Sequence, residues 1–411
     1  MAFCHMEKTQ EVVYHIYGNS HNVEGGSNRR LDGFVSILLE ELMSGLVLKN
    51  INKIYPGGRQ AIKDFNLEMK ESGILVLSGS DGCGKSTLLR MIAGLEEISS
   101  GTLYINGENM TQAEPRERNV AMIFRNSVLY PHMTVLENLS FSLRMSKMPQ
   151  AEIEKRAEEI SEVLNLGAIL EKLPEELNTI EVYQVLLGRA LMRKPSVLLM
   201  DSTIADLDES VQEELRRYFV MIQKKMNLMA VYVTENQKSA LALGSRMIVM
   251  SEGEICQDDT PENLIAKPST SYVAGVVGYP PMNFFIASVY EDGDRVGLKL
   301  KKGNVILPEE KGKQLLANGY LKREVLVGLR ADALTVEAGR KKAEEGMLTC
   351  KVQAMETLYS RPMLRFAMDE TQGLCLAEEM PAGGEGSTVI LSVHPEKIQI
   401  FNRENEKTIV F

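Results

Sequence analysis

Nine consecutive residues, Gly79-Ser80-Asp81-Gly82-Cys83-Gly84-Lys85-Ser86-Thr87, follow the spacing G-x-x-x-x-G-K-[ST]. A loop of this kind binds phosphate: its glycines let backbone N–H groups turn inward, its lysine reaches the β- and γ-phosphates, and the next hydroxyl sits on Mg²⁺. Gly79, Gly82 and Gly84 supply the backbone freedom, Lys85 the cation and Ser86 the hydroxyl. Cys83 stands where almost any small residue would serve. The chemistry needs a strand before the loop and a helix after it. The apolar run Ile74-Leu75-Val76-Leu77 and the segment Leu88-Leu89-Arg90-Met91-Ile92-Ala93-Gly94 provide both, and a helix starting near Lys85 aims its positive end at the phosphate. A second candidate is Asp201, which closes the apolar run Val197-Leu198-Leu199-Met200. Such a run is expected of a buried parallel strand, here carrying a carboxylate toward the same Mg²⁺. Tyr55, just before the turn Pro56-Gly57-Gly58, could stack on an adenine ring; taken alone, the segment reads by default as holding an ordinary turn tyrosine.

The elements that must position these groups are legible around them. Strand-like runs at Ala230-Val231-Tyr232-Val233 and Met247-Ile248-Val249-Met250 join the one ending at Asp201. Helical spacing of Ile153, Ala157, Ile160 and Leu164 marks a helix expected to stop at Gly167, and another runs from Val211 through Leu215 and Tyr218 to Ile222. Alternating strands and helices predict an α/β core with its ligand at the carboxyl ends of the strands. Ser100 to Gly107 alternates and ends in Asn-Gly, a hairpin signal that adds a small antiparallel sheet. After Tyr279-Pro280-Pro281 the pattern changes to short alternating strands: Phe285 to Tyr290, Val296 to Leu300, Val325 to Arg330 and Val389 to Val393. That half reads as a small β-barrel. The expected organisation is a weakly ordered, polar extension over 1–42, a nucleotide domain over 43–279 and a β-rich domain over 280–411.

Composition narrows the function classes. A chain of 411 residues suggests two or three domains, each able to bury a core without disulfide staples. Its five cysteines show neither CxxC nor Cys/His metal spacing, so no structural metal is expected. A net charge of −10 without a long basic tract leaves no electrostatic footprint for nucleic acid. No run approaches the ~18 apolar residues of a membrane span, so membrane association is expected to pass through a partner.

With these pieces in place, residues 45 to 411 resemble the ATP-binding subunits of ABC transporters, and within them the carbohydrate-importer branch of the maltose and glycerol-phosphate systems. The resemblance rests on Ser80 to Thr87, on Leu129-Tyr130-Pro131-His132-Met133-Thr134-Val135, on Leu187-Gly188-Arg189-Ala190 and on Val327-Gly328-Leu329-Arg330. It implies a P-loop ABC ATPase fold with a helical subdomain after Arg125, followed by an OB-like β-barrel domain of the TOBE type. It implies ATP and Mg²⁺ as ligands, Tyr55 as the adenine-stacking aromatic, Gly79 to Thr87 as the phosphate cradle, and Ser86 and Asp201 on the metal. It also implies permease subunits and a second ATP-binding subunit, as homodimer or heterodimer, at the cytoplasmic face of a membrane.

Four departures bear on catalysis. Where the family carries the γ-phosphate-sensing glutamine, this chain has Arg125; where it carries the signature Leu-Ser-Gly-Gly-Gln, this chain reads Leu177-Asn178-Thr179-Ile180-Glu181. Ser202 replaces the glutamate that acts on water, and Glu235 replaces the switch histidine. Serine does not take a proton from water near neutral pH, and losing a positioned general base costs ~10²- to 10⁴-fold in rate. The sequence thus predicts a subunit that binds Mg-ATP and hydrolyses it poorly or not at all. Two alternatives stand beside it: an active ATPase whose carboxylate has moved to Glu235, and a scaffold whose phosphate loop is vestigial.

Overall fold

The computed structural model describes residues 45–337, 342–358, 361–377 and 383–411; the expected 1–42 extension lies outside them. The chain opens with β1 (Leu46–Ile54), β2 (Gln60–Met69) and β3 (Gly73–Gly79), then α1 (Lys85–Ala93), the hairpin strands β4 (Ser100–Ile105) and β5 (Glu108–Asn109), and β6 (Val120–Ile123). Helices α2 (Val135–Met145), α3 (Gln150–Leu164) and α4 (Thr179–Leu191) follow. Then come β7 (Val197–Asp201), α5 (Glu209–Met226), β8 (Met229–Val233), α6 (Gln237–Leu243), β9 (Arg246–Ser251) and β10 (Glu254–Asp259). Two short helices, α7 (Pro261–Ala266) and α8 (Ser271–Val276), lead into the β-rich half.

One six-stranded sheet runs β10-β9-β3-β8-β7-β6, parallel apart from the β10–β9 pair. Because both faces of a parallel sheet are covered, its strands are apolar throughout. Their period of two then divides the side chains between two cores. Leu75, Leu77, Leu199, Val231, Val233, Ile248 and Met250 face α1 and the antiparallel sheet β2-β1-β4-β5. Val76, Leu198, Met200, Ala230, Tyr232, Met247 and Val249 face the helical side, where α2 to α5 pack. The result is the P-loop α/β fold expected, with the additional antiparallel sheet predicted from the Asn106-Gly107 turn, both residues of which take positive φ (50° and 86°).

Helix α3 ends differently from the expectation. Asn165, not Gly167, takes the left-handed conformation (φ 57°) and closes the helix through bonds from its N–H to Glu162 O and Ser161 O. Asparagine tolerates that conformation almost as glycine does, and Gly167 instead starts a single 3₁₀ turn. Helix α1 ends at Gly94 (φ 76°), where the buried Arg118 donates from Nη1 to Met91 O at 2.6 Å and Ile92 O at 3.2 Å. A guanidinium there answers both the orphan carbonyls and the negative helix end.

The β-rich half begins with β11 (Asn283–Asp292), β12 (Arg295–Leu300), β13 (Gly303–Ile306), α9 (Glu309–Ala317), β14 (Glu324–Leu329) and β15 (Leu334–Val336). It continues through β16 (Met347–Leu358), β17 (Arg361–Met368), β18 (Thr371–Leu376), β19 (Thr388–Val393), β20 (Gln399–Asn402) and β21 (Thr408–Val410). Two antiparallel sheets, β13-β12-β11-β14-β20-β21 and β15-β19-β16-β17-β18, share one core in which Phe285 stacks on Phe366 with centroids 6.2 Å apart. This is the expected OB-like β domain. A small cluster of Ala274, Met282 and Phe401 seals it against α8.

Candidate functional site

The cradle forms where β3 runs out. Gly79 (φ 146°) is pressed against β9, so that a Cβ there would lie 2.2 Å from Met250 O, and a Cβ on Gly84 (φ 109°) would lie 2.6 Å from Ala61 O. Only glycine lets the loop turn this close to neighbouring backbone. Helix α1 then starts at Lys85 with Gly84 as a cap that offers no side chain, and with no acid in its first turn. Its leading N–H groups and the positive end of its dipole are left to an anion. Lys85 is buried, and its Nζ donates to Gly79 O at 2.9 Å and Ser80 O at 2.8 Å. Neutral carbonyls hold the ammonium without cancelling its charge. Cys83 is buried beside it, with Sγ 3.7 Å from Nζ.

Ser86 and Asp201, 115 residues apart in the chain, meet at 3.0 Å, the Ser86 hydroxyl donating to Asp201 Oδ1. Two hard oxygens at that separation suit Mg²⁺, whose adjacent octahedral ligands, bonded at ~2.1 Å, stand about 3 Å apart. Asp201 reaches this place because β7 pairs in parallel with β8, register Asp201 to Val233, and β8 with β3.

A cleft of about 390 Å³ lies over the loop, lined by Tyr55, Pro56, Arg59, Ala61, Gly82, Gly84, Lys85, Ser86, Thr87 and Glu235. Tyr55 is fixed at its hydroxyl, 3.4 Å from both Thr87 Oγ1 and Glu96 Oε2, while Lys53 Nζ stands 5.0 Å from its ring centroid. The buried Lys53 is itself held by Glu96 at 2.7 Å and by Glu97 O. The ring is thus oriented by a network of side chains.

The four divergent positions each find a different use. Ser202 sits at φ 48°, buried, with its N–H 3.0 Å and its hydroxyl 3.4 Å from Val233 O; the side chain is engaged by backbone. Arg125 forms a two-pronged bond with Asp206, Nε to Oδ2 at 2.8 Å and Nη2 to Oδ1 at 2.5 Å. That bond raises the arginine's already high pKa and holds the Asp206 carboxyl below its ordinary value. Glu235 comes to the cleft beside Asp81, whose hydrogen-bonding contact is the largest cause of a Glu235 pKa above the ordinary 4.5. Partial burial and the Asp81 charge push the same way, while Lys85 and Arg125 pull against them.

In the signature stretch, Asn178 caps α4. Its Oδ1 accepts from Glu181 N–H at 2.9 Å while Glu181 Oε2 accepts from Asn178 N–H at 2.8 Å. This reciprocal box satisfies the helix end from within and places a carboxylate where an anion would otherwise sit. Lys172 Nζ stands 3.9 Å from Glu181.

The structure therefore brings Tyr55, Gly82, Gly84, Lys85, Ser86, Thr87 and Glu235 to one cleft, with Asp201 on Ser86 and Asp81 on Glu235. Arg125 is drawn to Asp206 and Asn178 to its own helix. Sequence reasoning missed Arg59, Asp206 and the Asp81–Glu235 contact. The Arg125–Asp206 and Asp81–Glu235 pairings join distant loops and leave no local signal. The Asn178-x-x-Glu181 box, by contrast, is a pattern the sequence displays.

Fold and site together define a phosphate-loop nucleotide-binding protein. The sequence model of the family described as ABC transporter matches residues 62–205. The oligosaccharides import ATP-binding protein MsmX of Bacillus subtilis is 34% identical over 371 residues, covering 89% of this chain and 100% of that protein. The trehalose/maltose import ATP-binding protein MalK of Thermococcus litoralis is 35% identical over 377 residues, with the same coverage. The sn-glycerol-3-phosphate import ATP-binding protein UgpC of Bordetella avium is 35% identical over 324 residues, 78% of this chain and 85% of that one. Among solved structures, cbiO1 from Clostridium perfringens, described as part of the ABC transporter complex cbiONQ, shares the fold with a TM-score of 0.51. It is 23% identical and covers 54% of this chain and 90% of its own. The chain belongs to the ATP-binding proteins of ABC transporters. Among the described residues no helix is long and apolar enough to cross a membrane.

Proposed function

We propose that this chain is the ATP-binding subunit of a carbohydrate ABC importer, that it holds Mg-ATP in the cleft over Gly79 to Thr87, and that it turns the nucleotide over poorly or not at all. Importers of oligosaccharides, trehalose/maltose and glycerol phosphate are what its relatives are named for. Tyr55 stacks the adenine, the loop amides and Lys85 hold the phosphates, and Ser86 and Asp201 hold the metal. Held by Ser86 and Asp201, a Mg²⁺ ion would supply charge that offsets the nucleotide's phosphates. Permease subunits and a second ATP-binding subunit complete the assembly, and the chain works at the cytoplasmic face of the membrane through them.

The observation that carries the impaired turnover is Ser202. Directly after the metal aspartate stands a buried hydroxyl committed to Val233 O, with neither the basicity nor the reach to take a proton from water. Arg125 is paired with Asp206, and the N-terminus of α4 is closed by its own side chains. The role left to the subunit is structural or regulatory. The test is single-turnover hydrolysis with Ser202→Glu. Restoring a carboxylate raises the rate by at least ~10²-fold while nucleotide affinity stays within a few-fold. Rapid turnover by wild type that the glutamate variant does not exceed would sink the proposal.

A second reading has one observation in its favour. Glu235 lines the cleft, and its pKa is raised toward the range useful to a base. On that reading Glu235→Gln abolishes turnover that wild type performs.

A further inference from the structure

The phosphate loop is linked to α8 through one phenol. Tyr272, in α8, places its hydroxyl 3.1 Å from Ser80 N and 3.3 Å from Ser80 Oγ, and donates to Met250 O at 2.9 Å. Met250 is the β9 residue in register with Gly79. A phenol has one proton and accepts with its oxygen, so a single side chain takes up the Ser80 N–H and pins the loop to the strand beside it. The residues next to Tyr272 meet the β domain's last turn, while Val273 packs into the core of the nucleotide fold. Ser271 is buried, and both its N–H and its Oγ meet Glu406, at the backbone O and at Oε2, each 2.9 Å away. Thr270 bridges Lys407, and Thr408 N–H donates to Ser269 O at 3.0 Å. Ser80, Tyr272, Ser271 and Glu406 thus form a continuous path, 326 residues from end to end in sequence separation but only two hydrogen-bonded contacts and one peptide bond long.

We propose that Tyr272 is a positioning residue for the phosphate loop, through which the Glu406 turn of the C-terminal domain sets how tightly nucleotide phosphate is held. Tyr272 does not reach the cleft. It acts by fixing where the chain leaves β3, and so the direction in which the amides from Gly82 onward point. A displacement of the 402–408 turn moves α8, releases Ser80 and loosens the cradle. The proposal rests on the reading of Gly79 to Thr87 as a nucleotide cradle.

The experiment uses the full chain and three measurements: Mg-ATP and Mg-ADP affinity by calorimetry, amide hydrogen exchange over 79–84, and the melting temperature without nucleotide. Tyr272→Phe removes only the hydroxyl. One lost hydrogen bond corresponds to roughly two- to tenfold in affinity, with faster exchange at the Ser80 amide and little change in melting. Glu406→Ala reproduces both effects from a distance, and in the double variant they are less than additive because the two changes break one path. Unchanged exchange and affinity in Tyr272→Phe overturn the proposal. An effect of Tyr272→Phe that Glu406→Ala fails to reproduce overturns the link to the β domain. If wild type binds no nucleotide, the cradle reading fails, and the exchange measurement still decides whether Tyr272 holds the loop.

Discussion

Replacing Glu235 with glutamine removes one negative charge from the cleft while keeping the side chain's size and its contact with Asp81. When ionised, Glu235 brings that charge to the cleft over the phosphate loop from an exposed position near Lys85 and Arg125. Two unit charges 4 Å apart interact by about 1 kcal/mol in water and by about 4 kcal/mol at an effective dielectric of 20. Glu235 is mostly solvated, so the lower figure applies, which corresponds to roughly fivefold tighter ATP binding for Glu235→Gln at pH 7.5. ADP, lacking the terminal phosphate, gains less. The sign with pH follows from the raised Glu235 pKa: protonation neutralises the group, so the gap narrows as pH falls from neutral toward 4.5. The nucleotide's own phosphate titrates too, so the quantity to follow is the difference between the two proteins, measured with a fluorescent ATP analogue across pH 5 to 8. Without nucleotide, the folded state holds the Glu235 proton more tightly than the unfolded chain. The resulting stability is present at low pH and is lost as pH rises through the folded pKa. Equal or weaker ATP binding by Glu235→Gln at pH 7.5 would refute the repulsion argument and favour Glu235 as a working group.

Two further changes probe the frame of the site. Asn178→Ala removes the cap of α4 and one half of its box with Glu181, at a cost of ~1 kcal/mol that urea denaturation reads directly; an unchanged midpoint would show the box to be idle. Gly84→Ala drives a Cβ to 2.6 Å from Ala61 O at φ 109°, a conformation a side chain rarely adopts. The variant is expected to lose calorimetric ATP binding while circular dichroism keeps its α/β spectrum, and full binding would contradict the cradle geometry.

Much of this was legible before the structure because it is written locally. Gly79 to Thr87 carries its strand and helix on either side, the run ending at Asp201 announces a buried parallel strand, and Asn106-Gly107 announces a hairpin. The helix limit at Asn165 was also locally written, since asparagine takes the left-handed turn, but the glycine two residues on offered the stronger signal. What could not be read were contacts between segments distant in the chain. Arg125 pairs with Asp206, 81 residues away in the chain, and Glu235 stands beside Asp81 on another loop. Glu181, by contrast, finds its partner Asn178 three residues earlier, where the two cap a helix.

The most direct measurement is Mg-ATP binding together with single-turnover hydrolysis on the same preparation of the full chain, with enzyme in excess and Lys85→Ala as the control. The account predicts saturable binding that the control loses, and no appearance of ADP above that control. ADP formation that depends on Lys85 and disappears in Glu235→Gln would contradict it and make the subunit an active ATPase.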